Sequence, residues 1–282
     1  MSVLTETYTL TNGVKIPKVA FGTWQIPNGE PAYNSVKVAL ENGYRHIDTA
    51  KAYGNEKSVG QAIRDSGIDR KDIFVTSKLP AEIKTYQGAL KAFDETMADL
   101  DIDYLDLYII HAPWPWNEIG KNCDQGNLDA WRALEEVYAS GRVRAIGVSN
   151  FAVRDLENLL PNAKVKPMVN QIQYYIGFTE PKITKYSEDN GLLIEAYSPL
   201  ATGRMLTNEH VVAIAKKYDV TTAQLAIRFC IENGALPLPK AVTPAHIISN
   251  KELDFTISAE DMTVLNSLAD TTNGSNHNPT QG

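Results

Sequence analysis

Eight short apolar runs recur along the chain, separated by longer amphipathic segments, and this alternation restricts the possible folds more than any other feature. The runs are Val19–Gly22, His46–Ala50, Ile73–Lys78, Leu105–His111, Ala145–Asn150, Met168–Gln173, Leu192–Tyr197 and Leu236–Pro239. Most are nearly continuous in their apolar character rather than alternating, as parallel strands covered by helices should be. Between them, Ile83, Tyr86, Leu90, Phe93, Met97 and Leu100 recur at steps of three and four and predict a helical stripe over 83–100. Leu128, Trp131, Leu134 and Tyr138 repeat that spacing. Thr221 with Gln224 reads as a capping box, and Asn233-Gly234 as the stop of the same helix.

Strands alternating with helices fit an open doubly wound sheet or a closed barrel. The open dinucleotide fold should carry G-x-G-x-x-G after an early strand, and neither that run nor a phosphate loop occurs here. The expectation is therefore an α/β chain folded as a (β/α)8 TIM barrel. With 282 residues, it is long enough for one such barrel of about 250 residues, so residues 1–282 are read as a single domain. Asn12-Gly13 between two short runs predicts a β-hairpin over 7–18 with a type I′ turn, both central residues at positive φ. The polar stretch 270–282 reads as a short mobile tail.

Charge and composition exclude several roles. The balance of 27 Lys+Arg against 34 Asp+Glu gives a net charge of −7, whereas nucleic-acid binders show a basic excess. No stretch approaches the roughly 18 uninterrupted apolar residues of a membrane span. The N-terminus lacks the basic and apolar regions of a signal peptide. A cytoplasmic monomer is expected, without nucleic-acid or membrane partners. Cys123 and Cys230 read as reduced thiols, with one long-range disulfide as the alternative.

In a barrel, function sits at the C-terminal strand ends. Polar residues there are Asp48, Lys78, His111, Ser149, Asn150, Gln171, Tyr197 and Ser198, and Tyr53 follows Asp48 by five positions. Each alone has an ordinary structural explanation, as a helix cap, a solvated charge or a packed ring. Together, Asp48, Tyr53, Lys78 and His111 converge on one mouth from three successive strands and make a proton donor. A free phenol has a pKa of about 10, and a neighbouring ammonium lowers it. Lys78 is expected to do this for Tyr53, with Asp48 holding Lys78 in place. A neutral His111 orients a carbonyl by hydrogen bonding. The set suits reduction of a carbonyl to an alcohol, with Tyr53 as general acid. A metal-dependent hydrolase would need clustered ligands, and no H-x-x-x-H pair exists among the five histidines; no metal is expected. Further along, Thr243 as N-cap with Pro244 as first helical residue, beside Lys240, reads either as an anion site or as a plain strand-to-helix junction.

At these residues the sequence resembles the aldo-keto reductase family, from about Tyr8 to Asp270. Gly43-Tyr44-Arg45-His46-Ile47-Asp48-Thr49-Ala50, then Tyr53-Gly54-Asn55-Glu56 and Val59-Gly60, matches one family signature. Ile146-Gly147-Val148-Ser149-Asn150-Phe151 matches a second. The resemblance implies a barrel closed at its base by the N-terminal hairpin and a catalytic tetrad of Asp48, Tyr53, Lys78 and His111. It also implies that Ser149, Asn150 and Gln171 hold a nicotinamide carboxamide, with the ring on Tyr197. Ser198 and Leu200 would follow the pyrophosphate, Gly22, Thr23 and Trp24 would line the cleft, and Lys240, Thr243 and Asn250 would lie at the adenosine end. Because channel-associated β-subunits share this fold, a cofactor-sensing regulatory subunit is the alternative function.

Three departures from the family pattern stand out. The usual Lys-Ser at the adenosine phosphate is Lys240-Ala241, and the arginine expected six positions after the lysine is His246. After the histidine, the family's His-Trp-Pro becomes His111-Ala112-Pro113-Trp114-Pro115-Trp116, so Trp114 or Trp116 replaces the lost indole as substrate wall. The C-terminus offers few aromatic groups to close over a substrate. The pocket is expected to be open, as in bacterial members that reduce small dicarbonyls or keto-sugars.

A two-pronged guanidinium is the strong grip on a phosphate, and a largely neutral imidazole is weaker. NADPH is thus the expected cofactor with NADH also accepted, and preference for NADPH should rise as the pH falls through the titration of His246. Dissociation constants for both cofactors at two pH values test this. A large NADPH preference unchanged by pH would overturn it.

Overall fold

The computed structural model describes residues 2–274. A two-stranded antiparallel sheet, β1 (Thr7–Thr9) and β2 (Lys15–Pro17), precedes a ring of eight parallel strands. These are β3 (Phe21–Gly22), β4 (His46–Asp48), β5 (Phe74–Leu79), β6 (Leu105–Ile110), β7 (Val143–Ser149), β8 (Val169–Gln173), β9 (Leu193–Tyr197) and β10 (Leu236–Leu238). Each pairs with the next in sequence. Ala20 N and Gly22 N close the ring by donating to Pro237 O (3.1 Å) and Pro239 O (3.0 Å). A Cβ at Gly22 would lie 3.1 Å from the Leu238 carbonyl oxygen, so this close approach favours glycine. The fold is a (β/α)8 barrel.

All eight apolar runs became strands, with ends shifted by one or two residues. The helical stripes shifted more. The helix Tyr86–Leu100 starts after Thr85, whose hydroxyl accepts from Gly88 N. It buries Ala89, Ala92, Phe93, Thr96 and Leu100, while Ile83, Tyr86, Leu90 and Met97 flank that face half-buried. Small alanines let the helix axis approach the sheet closely, and the larger side chains fill the grooves beside it. In Asp124–Ala139, Trp131 and Leu134 are buried, and the Trp131 indole donates to Val165 O at 3.0 Å. The capping box at Thr221 and Gln224 forms reciprocally, and Gly234 follows the helix at φ 78°.

The hairpin turns differently from the type I′ expectation. Gly13 N donates to Leu10 O and Leu10 N donates to Val14 O, and Gly13 takes φ 86° while Asn12 does not turn positive. This is a three-residue loop with glycine at its left-handed position. Leu10 and Ile16 pack against Phe74, Ala145, Met168 and Leu236, near the N-terminal strand ends, so the hairpin plugs the base. At the other terminus, Asp270 to Gly274 is anchored rather than loose. Thr271 is buried and its hydroxyl donates to Ile176 O at 2.5 Å, and the Asp270 carboxylate accepts from Gly274 N. The rest of the expected tail, 275–282, lies outside the described residues. Both cysteines are free thiols.

Helix Glu56–Asp65 crosses the end of Tyr86–Leu100 at Gly60, where a Cβ would sit 1.9 Å from Leu100 O. Alanine normally favours a helix over glycine, but here it collides with backbone. Gly60→Ala is expected to destabilise the protein by roughly 1–3 kcal/mol, read as a lowered urea midpoint. An unchanged midpoint would show slack between these helices.

Candidate active site

Lys78, on β5, has no exposed surface. Its ammonium donates to Asp48 Oδ1 at 2.7 Å and to Thr49 O at 2.8 Å. Burial alone would lower its pKa, but the Asp48 carboxylate and Tyr53 outweigh burial and hold it above the ordinary lysine value. Asp48 ends β4, and its second oxygen accepts from Gln171 Nε2 at 3.0 Å. The backbone is fixed in turn: Thr23 Oγ1 donates to Asp48 O, and Asn55 Nδ2 donates to Thr23 O and Ile26 O. Thr49 Oγ1 donates back to Asn55 Oδ1.

Tyr53 closes a short 3₁₀ turn, Lys51–Tyr53, and Gly54 follows it at φ 69°. The Lys78 ammonium lies 4.9 Å from the Tyr53 ring centroid. Against the expectation of a lowered phenol pKa, burial outweighs the pull of Lys78, and the net shift is upward from 10. Tyr53 therefore keeps its proton at neutral pH. His111 follows β6 with its ring 5.6 Å from that of Tyr53, edge to face. Burial, reinforced by Lys78, holds its pKa well below the usual histidine value, so the ring is neutral. Its Nδ1 has no hydrogen-bond partner within the protein.

Beside this set lies a cradle of amide and hydroxyl groups. Asn150, at φ 60°, donates to His111 O (2.9 Å) and Ser149 Oγ (3.0 Å) and accepts from Tyr197 OH (2.8 Å). Ser149 Oγ donates to Gln171 O. The Gln171 Nε2 donates to Asp48 and Glu195. The donor set is that of an amide-binding pocket, and Tyr197, half-buried with its hydroxyl tethered, offers a fixed ring face, so these residues fit a nicotinamide. After β9, Ser198, Ala201 and Thr202 all take left-handed conformations around half-buried Leu200. Such strain in non-glycine residues clusters at ligand-binding loops. Trp24 is 44% exposed at the mouth.

Lys240, Thr243 and His246 are exposed beyond β10, while Ala241 and Asn250 are buried. The helix Pro244–Ser249 has only six residues and Thr243 makes no side-chain cap, so its dipole is short and the Lys240 charge is the larger attraction for an anion. Trp114 is nearly buried against Ala81 and Ala112, and Trp116 is the indole that meets His111, edge to face at 5.4 Å.

Residues 18–270 match the model of the aldo/keto reductase family. The chain belongs to the aldo/keto reductase family. It is 42% identical over 266 residues, covering 94% of this chain and 93% of the relative, to the glyoxal reductase of Bacillus subtilis (strain 168). Among solved structures, an aldo-keto reductase from a Medee basin deep-sea metagenome library shares 42% identity with a TM-score of 0.88, covering 93% of this chain and 95% of that one. A Bombyx mori aldo-keto reductase in complex with NADP shares 30% identity with a TM-score of 0.84, covering 94% and 93%. The protein is an oxidoreductase of a family that uses nicotinamide cofactors. Among the described residues, no helix is long and apolar enough to cross a membrane.

Several residues of this aldo-keto reductase site escaped the sequence reading. Glu195, which shares the Gln171 amide nitrogen with Asp48, is fully buried; its signal was a lone charge within an apolar run. Lys84 donates to Ala112 O (2.7 Å) and Asn127 Oδ1 (2.8 Å), and Asn127 Nδ2 donates to Pro113 O. This clamp fixes the segment leading to Trp116, and burial lowers the Lys84 pKa to about 8. No sequence spacing links Lys84 to Asn127. Lys84→Met is expected to raise KM for carbonyl substrates several-fold by releasing the Trp116 wall, while cofactor affinity holds. An unchanged KM would show that the wall stands without the clamp.

Proposed function

We propose that this protein reduces small carbonyl compounds to alcohols, with Tyr53 as the proton donor. The observation that carries the reading is the buried Lys78 ammonium, held by Asp48 and placed over the Tyr53 ring. A nicotinamide held by Ser149, Asn150 and Tyr197 would supply hydride to the carbonyl carbon. As negative charge grows on the substrate oxygen, that oxygen becomes a far stronger base than a phenolate, and Tyr53 can give up its proton despite its raised pKa. Lys78 then stabilises the phenolate left behind, and its own charge is already balanced by Asp48. Neutral His111 donates one hydrogen bond that orients the carbonyl, without a cationic competitor for the proton.

Ser149, Asn150 and Gln171 are assigned to the carboxamide, Tyr197 to the ring face, and Gly22 and Thr23 to the cleft wall. Gln171 Nε2 is held by Asp48 and Glu195, which leaves its Oε1 for the carboxamide. Ser198, Leu200 and the strained loop suit the pyrophosphate, and Lys240, Thr243, His246 and Asn250 the adenosine end. The NADP held by the Bombyx mori relative supports NADPH as cofactor; His246 in place of the arginine supports acceptance of NADH. The name of the Bacillus subtilis relative, together with the exposed mouth at Trp24, favours small dicarbonyls as substrates.

Tyr53→Phe is expected to lower kcat by roughly a hundred- to ten-thousand-fold while cofactor dissociation constants stay near wild type. Nicotinamide absorbance with a panel of aldehydes, dicarbonyls and keto-sugars measures this. Turnover within a few-fold of wild type would remove Tyr53 from the donor role.

A further inference from the structure

Glu195 is a fully buried carboxyl group beside Gln171 that the proposed reaction leaves unused. It lies on β9 between Gln171 of β8 and Leu236 of β10 in register. Its Oε2 accepts from Gln171 Nε2 at 2.8 Å, and its Oε1 has no hydrogen-bond partner. The same Gln171 nitrogen donates to Asp48 Oδ2 at 3.0 Å, so one amide joins two carboxyl groups. The ionisable groups facing Glu195 are Asp48 from β4 and Lys78 from β5; β8 presents the neutral Gln171 and β10 the apolar Leu236. Lys78 is committed to Asp48 Oδ1 and Thr49 O.

A fully buried carboxylate with one shared amide donor and no cation in contact is strongly disfavoured. The geometry therefore calls for a neutral acid at Glu195, and burial together with the Asp48 charge raises its pKa to about 8.

We propose that Glu195, acting through Gln171, is a positioning residue that sets the charge balance of the Asp48–Lys78–Tyr53 set, its protonated form supporting reduction. While neutral, it adds no charge of its own, so the pull of Lys78 on a Tyr53 phenolate is opposed by Asp48 alone. Once ionised, it adds a second negative charge to the same enclosed volume. That charge offsets part of the Lys78 field, raises the cost of a Tyr53 phenolate and slows proton transfer to the substrate. Glu195 itself gives its proton to solvent and takes no part in bond making. The inference rests on the carbonyl-reductase reading for its kinetic consequence, though not for the electrostatic coupling.

The test compares wild type with Glu195→Gln, which keeps the shape and the hydrogen bond but cannot ionise. In wild type, kcat for reduction should fall several-fold as pH rises through about 8, and Glu195→Gln should lack this step. A second readout needs no turnover: tyrosinate absorbance of each protein minus that of its Tyr53→Phe counterpart. There, the Tyr53 phenol should ionise at lower pH in Glu195→Gln than in wild type, because the opposing charge is gone. An identical alkaline step in both proteins, or an unmoved Tyr53 titration, would overturn the proposal. A wild type that turns over no carbonyl would count against the reductase reading, while the tyrosinate shift would still decide the coupling.

Discussion

An ammonium group in the middle of a barrel has no water to solvate it, and much of this molecule's upper half is arranged around that fact. Lys78 needs an anion and further acceptors at hydrogen-bond distance, and removing one partner of such a pair commonly costs about 3–5 kcal/mol. Asp48 supplies the anion and Thr49 the carbonyl oxygen. Holding those two requires a rigid β4 end, which Thr23 and Asn55 provide by tying the loop after β3 to the residues after β4. Residues far apart in the chain are thus bound into one unit by a single charge.

The same charge also organises the two rings above it. Burial raises the Tyr53 phenol pKa and depresses that of the His111 imidazole, so both rest in neutral forms that can donate a hydrogen bond. Lys78 reinforces the neutrality of His111 and opposes the shift at Tyr53. The resting site is thus two uncharged rings over a buried ion pair, and a cation preorganised in that way would favour negative charge developing on a bound molecule.

Much of this was legible from residue order, because a barrel puts polar residues at strand ends where apolar periodicity breaks off. Asp48, Lys78, His111 and Ser149-Asn150 announced themselves in that way, and the structure brings them to one mouth. What the sequence concealed depends on balances or on distant partners. The net direction of the Tyr53 shift is a contest between burial and Coulomb attraction, and only coordinates show which is larger. Asn12 had the composition for a tighter turn, yet the hairpin register gave the left-handed position to Gly13 alone. Lys84 and Asn127 meet through tertiary folding, and Glu195 was hidden by an apolar run that otherwise reads as plain core.

The ring seam has a further consequence. Where β10 meets β3, the acceptors are the carbonyls of Pro237 and Pro239, and proline has no N–H to return the bond. Hydrogen bonding across that joint runs one way, on strands of two and three residues. The barrel is therefore fastened more lightly along one stave than along the others. That stave lies between Thr23 and Trp24, which follow β3, and Lys240, which follows β10, so the cation beyond β10 and the indole at the mouth stand on opposite sides of the most lightly fastened joint.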